Sequence, residues 1–186
     1  MADKKPIAST PPSLVGAKLY LRPATAEDIA NTHHWRVMQE PQLFSVYPEP
    51  IQTAGDAVEA FKKEGRSAGA QDFVIVSSKE NYPVGLISFS DLNSLNRSAR
   101  ISMLIDPDHA GKEHGVEAAE ILCRYLFRYR GLNKVYAYVS ELDLEMSRTL
   151  PKVGFQKDGT LRQHHYFRGG YHNVLIYSLL RFDLGE

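Results

Sequence analysis

The sequence predicts an α+β fold with three layers, in which helices flank a mixed, mostly antiparallel sheet. Three patterns carry this prediction. Alternating apolar residues mark three successive strands between residues 73 and 105. A strand, a glycine-containing loop, an amphipathic helix and a second strand follow over 98–140, which describes a βαβ crossover with two parallel strands. Two further strands over 160–181 form a closing hairpin.

The chain length favours a single domain. The 186 residues suffice to bury one sizeable core, and we assign the domain to residues 15–186. Residues 1–14 contain two lysines and three prolines but no apolar segment of the kind found in a signal peptide or a membrane anchor. We expect this segment to be a flexible tail, and we expect no membrane partner.

Composition excludes several functional classes. Lys and Arg together number 22, as do Asp and Glu, so the chain lacks the basic excess that supplies general affinity for nucleic acid. We therefore expect no nucleic-acid partner. A single cysteine excludes an internal disulfide, which agrees with a cytoplasmic location.

In the first third of the chain, the residue pattern predicts one strand, then helices and a long irregular segment. Residues 17–22 alternate as a half-buried strand does. Thr25 and Asp28 have the spacing that caps a helix. Prolines break up the segment 33–50, which we predict to be a loop-rich wall, and a short helix follows over 56–63.

The stretch 101–118 predicts a site for an anionic ligand. Gly111 and Gly115 allow the backbone to turn sharply and approach a ligand closely. The N–H groups in the first turn of the following helix have no intrahelical partners, and a phosphate or diphosphate suits them. Cys123 falls in the centre of this helix's apolar stripe, so we expect a buried thiol rather than a nucleophile.

Two nucleotide motifs and a metal site are not supported by the residues present. The dinucleotide-binding fingerprint needs three glycines at its own spacing, and a P-loop needs Ser or Thr after Gly111-Lys112, where Glu113 stands. His109 and His114 are five residues apart, which does not place two ligands on one helical face. We expect no metal ion.

The order of predicted elements, together with several short motifs, resembles the GNAT N-acetyltransferase family, in its ribosomal-protein and spermidine acetyltransferase branch. The resemblance covers residues 15–181. The matching motifs are Leu19-Tyr-Leu-Arg-Pro23 with Asp28, Pro83-Val-Gly-Leu86, Ile105-Asp-Pro107, Gly111-Lys112, Gly115 with Glu117-Ala118, Val153-Gly-Phe155, Asp158-Gly159 with Leu161-Arg162, and Tyr177-Ser-Leu-Leu180.

The resemblance implies that acetyl-CoA is the co-substrate. It would lie in a V-shaped gap where the strand ending at Ile105 splays from the strand ending at Val139. An amine would attack the thioester, and the departing thiolate would be protonated. The cofactor-binding residues implied in this way are Met103, Leu104 and Ile105 for the pantetheine arm, Gly111, Lys112, Glu113, His114, Gly115 and Val116 for the pyrophosphate, and Asp143 for the arm.

The chain departs from the family pattern in its cofactor loop and in the helix after the crossover. The loop has Ala110 where the family has Arg or Gln, and Glu113 in place of a glycine. The usual serine falls at Met146 and the usual tyrosine at Leu150. Ser147 is one place away, and we predict it as the catalytic residue if Pro151 alters the helix.

For the acetyl acceptor, the sequence predicts a primary amine carried by a small molecule or a peptide. Arg100 replaces a common glutamate, which favours an anionic group on the acceptor over a polyamine, although a solvated strand-edge arginine explains it equally well. His34, Trp35 and Tyr166 are the other predicted substrate-binding residues. Without a strong general acid, an α-amino group is a better acceptor than lysine.

Two functions therefore remain open. The first is an acyl-CoA-dependent N-acyltransferase that moves an acetyl group to a primary amine. The second is a catalytically impaired binding or regulatory protein of the same fold. The sequence also leaves open whether the protein is a monomer or a homodimer.

Overall fold

The computed structural model describes residues 14–38, 46, 52–64, 69–111 and 113–184. The strands are β1 (Leu19–Pro23), β2 (Gln71–Ser77), β3 (Tyr82–Asn93), β4 (Ser98–Ile105), β5 (Lys134–Ser140), β6 (Gln156–Phe167) and β7 (Gly170–Leu180). The helices are α1 (Ala26–Met38), α2 (Ala54–Glu64), α3 (His114–Arg128) and α4 (Leu144–Val153). Short 3₁₀ turns lie at Pro107–His109 and Arg181–Leu184.

The seven strands form one mixed sheet in the order β1-β2-β3-β4-β5-β7-β6. Every neighbouring pair is antiparallel except β4 with β5, which is parallel. The connection between these two strands contains α3, as the crossover pattern required. The predicted fold class is therefore confirmed.

Alternating residues send apolar side chains to both faces of the sheet. Ala99 and Ile101 of β4 join the main core, where they meet the buried side of α3. On the opposite face a smaller cluster contains Trp35 of α1 and Leu104 of β4. Leu14 is 3% exposed within the main core, so it does not belong to the tail predicted over 1–14. Residues 1–13 lie outside the described residues.

The predicted start of α1 is confirmed by a reciprocal cap. Asp28 N–H donates to Thr25 Oγ1 at 3.2 Å, and Thr25 N–H donates to Asp28 Oδ2 at 2.8 Å. Arg22 of β1 donates two 2.7 Å hydrogen bonds to the same carboxylate. This pairing ties the helix to the first strand.

One element boundary was predicted wrongly. Helix α1 continues to Met38, so the first residues of the predicted wall 33–50 are helical. Apart from residue 46, residues 39–50 lie outside the described residues.

Helix α4 contains Pro151 and ends at Val153, so the proline does not end the helix. The proline removes the hydrogen bond to the Ser147 carbonyl oxygen. Gly154, at φ 107°, closes the helix with its N–H directed to the preceding carbonyls.

The closing hairpin is longer than predicted. Strand β6 begins at Gln156, and Arg168 and Gly169 form the turn with φ angles of 48° and 81°. The register between β6 and β7 shifts between Leu161 and His165, which is a bulge in the edge strand.

No helix in the described part of the chain is both long enough and apolar enough to cross a membrane.

The core of α3 should be the most sensitive part of the fold. Leu126 has no exposed surface, so we expect Leu126→Ala to lower the free energy of unfolding by about 2 to 5 kcal/mol, through lost burial and the cavity left behind. Leu95→Ala is the matched control, because Leu95 is 93% exposed. Urea denaturation measures both variants, and equal effects would contradict the assigned core.

Candidate functional site

The pairing between the parallel strands β4 and β5 stops after three residue pairs. These pairs run from Ser98 with Lys134 to Arg100 with Tyr136. Strand β4 then continues to Ile105 and β5 to Ser140 without a further pair between them. The two strands therefore enclose a gap, and the predicted splayed pair at the centre of the sheet is confirmed.

Hydrogen bonds at both ends of β4 show which way its peptide groups point. Asp106 N–H donates to a β3 carbonyl oxygen at 3.0 Å, whereas the Arg97 carbonyl oxygen accepts a 2.7 Å hydrogen bond from the segment ahead of β5. Peptide groups alternate along a strand, so odd-numbered residues face β5. Met103 therefore turns its N–H and carbonyl oxygen towards the gap, whereas Leu104 pairs with β3.

A groove of about 410 Å³ adjoins the end of β4. It lies between the loop that follows β4, the first turn of α3 and one side of α4. The residues that line it are Ile105, His109, Gly111, Glu113, His114, Gly115, Val116, Leu144, Glu145, Arg148, Thr149 and Lys152. Most of the predicted cofactor-binding residues therefore lie around one cavity. Lys112 lies outside the described residues.

Gly115 is the point where α3 comes closest to its neighbours. A Cβ atom at this position would lie 2.9 Å from Met103 Cε and 3.3 Å from Thr149 Cγ2. A side chain here would displace the flexible end of the Met103 side chain and press on Thr149. The glycine thus allows a close contact between the helix start, β4 and α4.

The N–H groups of the loop are less available than the sequence implied. Gly111 N–H points to Glu145 Oε1 at 3.5 Å, and Val116 N–H donates to the Glu113 carbonyl oxygen at 3.1 Å. Glu113 adopts a left-handed conformation with φ 59°, which starts the helix with a tight turn. In the described part of the chain, Gly115 N–H has no hydrogen-bond acceptor and remains a donor at the groove.

The carboxylate that interrupts the glycine pattern is neutralised by an ion pair. Glu113 Oε1 lies 3.0 Å from Lys152 Nζ on α4. The hydrogen bond from Lys152 and its positive charge hold the pKa of Glu113 below its ordinary value. Both side chains are exposed, so the pair contributes little to stability. The pair instead compensates the negative charge that Glu113 would otherwise present to a ligand in the groove.

Asp143 is a buried cap at the start of α4. Its Oδ1 accepts the Met146 N–H at 2.9 Å, and its own N–H donates to the Ser140 carbonyl oxygen at 2.9 Å. Only 6% of the residue is exposed. Burial raises the pKa of Asp143 to about 6, although the hydrogen bond from Met146 N–H acts in the opposite direction.

Ser147 lies one helical turn beyond Asp143. Its N–H donates to the Asp143 carbonyl oxygen at 3.1 Å. Its Oγ is buried and has no hydrogen-bond partner among the described residues. A buried hydroxyl without a partner is costly in a folded protein, and Ser147 is not among the residues that line the groove.

The predicted substrate-binding residues do not form one cluster. His34 is exposed on α1, whereas the neighbouring Trp35 is 2% exposed and packs in the smaller core. Arg100 Nε lies 2.9 Å from Asp91 Oδ2, so its charge is already compensated. Tyr166 is exposed beside Tyr171 near the hairpin tip.

Several residues of this region were not predicted from the sequence. Ser140 Oγ lies 3.2 Å from Nδ1 of His165, and both residues are buried near the end of β5. Strand alternation places Tyr166 on the opposite face of the hairpin from His165. Lys152 pairs with a residue 39 positions away, so no local pattern could have indicated it.

No group of three or more potential metal ligands occurs within the described residues.

The mixed sheet has seven strands, and its parallel pair splays beside a helix start that contains a glycine. This arrangement defines the fold of the acyl-CoA-dependent acyltransferase class. Residues 18–156, well over half of the chain, match the acetyltransferase (GNAT) domain family. The chain belongs to this family and is an N-acetyltransferase enzyme. Enzymes of the family use acetyl-CoA as the acetyl donor.

Two relatives each match about half of the chain or more. Spermidine N(1)-acetyltransferase from Vibrio cholerae is 24% identical over 128 residues, which cover 69% of this chain and 73% of the relative. The putative ribosomal N-acetyltransferase YdaF from Bacillus subtilis is 35% identical over 98 residues, covering 52% and 53%.

Solved structures show the same fold. The crystal structure of spermidine N-acetyltransferase from Vibrio cholerae in complex with CoA and spermine superposes with a TM-score of 0.84 at 21% identity. The match covers 92% of this chain and 100% of the other.

Asp143 should make stability depend on pH. Its pKa in the folded protein, about 6, lies above the ordinary value of 3.8, so ionising it costs stability as pH rises through this window. Asparagine keeps the cap, because its amide oxygen still accepts the Met146 N–H. We expect Asp143→Asn to stabilise the protein by about 1 to 3 kcal/mol at pH 7 and to have little effect below pH 4.

Denaturant unfolding at both pH values measures this difference. Glu80→Gln is the control, because Glu80 is an exposed residue in the β2–β3 turn. A stabilisation by Asp143→Asn that is equal at both pH values would contradict the role of the buried charge.

Proposed function

We propose that the protein transfers the acetyl group of acetyl-CoA to the primary amine of a small molecule or peptide, with an α-amino group preferred over lysine or a polyamine. The observation that carries this proposal is the gap between β4 and β5, which adjoins the groove beside Gly115. The gap offers the peptide groups of Met103, and the groove offers a helix N-terminus.

The two halves of the site suit the two ends of coenzyme A. The pantetheine arm, which contains amide groups, would pair with the backbone of Met103 as an added strand. The diphosphate would accept from Gly115 N–H and lie near Arg148 and Lys152. Asp143, at the start of α4, is the residue that would contact the pantetheine arm from that helix.

The chemistry requires a neutral amine and a proton for the leaving group. The amine nitrogen forms a bond with the thioester carbonyl carbon, the C–S bond breaks, and the ammonium proton is lost to solvent or a base. A backbone N–H facing the gap would stabilise the oxyanion. Ser147 is the proposed donor to the thiolate, because its buried hydroxyl has no partner among the described residues, and its hydroxyl would be restored by the proton that the ammonium group loses.

The preference for an α-amino group follows from the modest acidity of a serine donor and from the charges near the gap. At pH 7 about one in eight α-amino groups is neutral, against roughly one in 2,500 lysine side chains. Asp91 is paired with Arg100, and Glu141 accepts two hydrogen bonds from Asn173. The charge of Asp91 is therefore already compensated, which leaves less negative charge to hold a polycation.

A polyamine is the second candidate acceptor. It is favoured by relatives that are named spermidine N-acetyltransferases. The impaired binding protein predicted as an alternative depended on Ala110 and Glu113 in the loop and on Met146 and Leu150 in place of the usual proton donors. Because Lys152 compensates that carboxylate, the loop does not repel a diphosphate on this account.

Acetyl transfer to a panel of amines tests the function. With acetyl-CoA as donor, we expect kcat/KM for a peptide with a free N-terminus to exceed that for spermidine and for a peptide whose only amine is a lysine side chain. Mass spectrometry identifies the acetylated nitrogen. Faster acetylation of spermidine would establish the second candidate, and no product from any amine would contradict both.

Ser147→Ala tests the proposed donor to the thiolate. We expect kcat to fall about 100-fold, at the lower end of general acid catalysis, with little change in the KM for acetyl-CoA. Ser78→Ala, in the turn after β2, is the control and should keep full activity. An unchanged kcat in Ser147→Ala would show that the proton comes from elsewhere.

A further inference from the structure

The loop between β4 and α3 holds one histidine in a fixed orientation. His109 Nδ1 lies 3.0 Å from Asp106 Oδ2, across the short 3₁₀ turn. The other carboxylate oxygen, Asp106 Oδ1, accepts the Asp108 N–H at 3.1 Å. Asp106 is only 6% exposed, so water competes little with these contacts.

The carboxylate determines which nitrogen of His109 carries a proton. An ionised carboxylate can only accept, so the proton between the two side chains belongs to Nδ1 of His109. In the neutral ring, Nε2 then carries a lone pair and cannot donate. It becomes a donor only when the ring is an imidazolium.

The imidazole of His109 lies at the groove, which it helps to line. The rings of Tyr82 and His114 lie 6.3 and 6.0 Å from the His109 ring. In the described part of the chain, His109 Nε2 has no hydrogen-bond partner.

The charged residues that the structure describes around this histidine do not by themselves favour an anion. Arg148 and Lys152 on α4 are matched by the carboxylates of Glu113 and Glu145. Asp106 faces His109 from its own segment, and Tyr82 and His114 lie beside it from β3 and α3. A cationic His109 would therefore change the balance of the described groove in favour of an anion.

We infer that His109 binds a phosphate oxygen of coenzyme A through Nε2 as an imidazolium, so that cofactor binding takes up a proton. The inference rests on the proposed function for the identity of the ligand. A neutral ring would turn a lone pair towards the phosphate oxygen, so the complex requires the proton. Affinity should accordingly fall as pH rises through the range in which imidazole titrates.

Calorimetry of the full chain with 3′-dephospho-coenzyme A measures the proton directly. The diphosphate of this probe has no titrating proton near neutral pH, so the ligand itself contributes none. The observed enthalpy at about pH 7.5 is compared in buffers of different ionisation enthalpy. We expect uptake of about 0.5 to 1 proton per site.

Variants separate charge from structure. His109→Gln should bind roughly 10-fold more weakly near pH 6.5 and lose the proton uptake. His109→Arg should keep the affinity with no uptake, because its cation is permanent. Asp106→Asn should weaken binding near pH 7.5, and the affinity of this variant should recover as pH falls. His164→Gln, on an exposed part of β6, is the control and should behave as the unsubstituted chain.

Failure of this inference and failure of the proposed function give different results. If the unsubstituted chain does not bind the probe at millimolar concentration, the proposed cofactor site is wrong. If it binds and His109→Gln shows the same affinity and the same proton uptake, the role of His109 is overturned. Acetyl transfer without any proton linkage would support the proposed function alone.

Discussion

The close approach of Gly115 to β4 and α4 is the contact on which the site depends. Because no side chain separates the start of α3 from Met103 and Thr149, the helix N-terminus lies against the strand that has just lost its partner. The Met103 peptide groups that face the gap and the Gly115 N–H, which has no acceptor among the described residues, thus lie close together. An extended arm that ends in a diphosphate matches both sets of groups.

Charge compensation makes a loop with an unexpected carboxylate compatible with an anionic ligand. Glu113 is paired with Lys152, and Glu145 lies against Gly111 N–H. Both contacts join the loop to α4. Under the proposed function, a phosphate oxygen of coenzyme A would replace the carboxylate of Glu145 at Gly111 N–H, and the inferred imidazolium of His109 would add a positive charge to the groove.

Much of the fold could be predicted from the sequence because its signals are local. The alternation in β4, the cap formed by Thr25 and Asp28, and the helical stripe around Cys123 each lie within one element, and the structure confirms them. The pair of Glu113 and Lys152 and the pair of Ser140 and His165 join distant segments, which no local pattern specifies. The contact of His109 with Asp106 lies within three residues and was within reach of sequence reasoning, since the proline after Asp106 favours a tight turn.

A crystal structure of the protein with coenzyme A tests the central claim most directly. We expect the pantetheine arm beside Met103 between β4 and β5, and the diphosphate at Gly115 N–H between the loop and α4. Coenzyme A bound at another surface, with the gap between β4 and β5 empty, would contradict the proposed cofactor site.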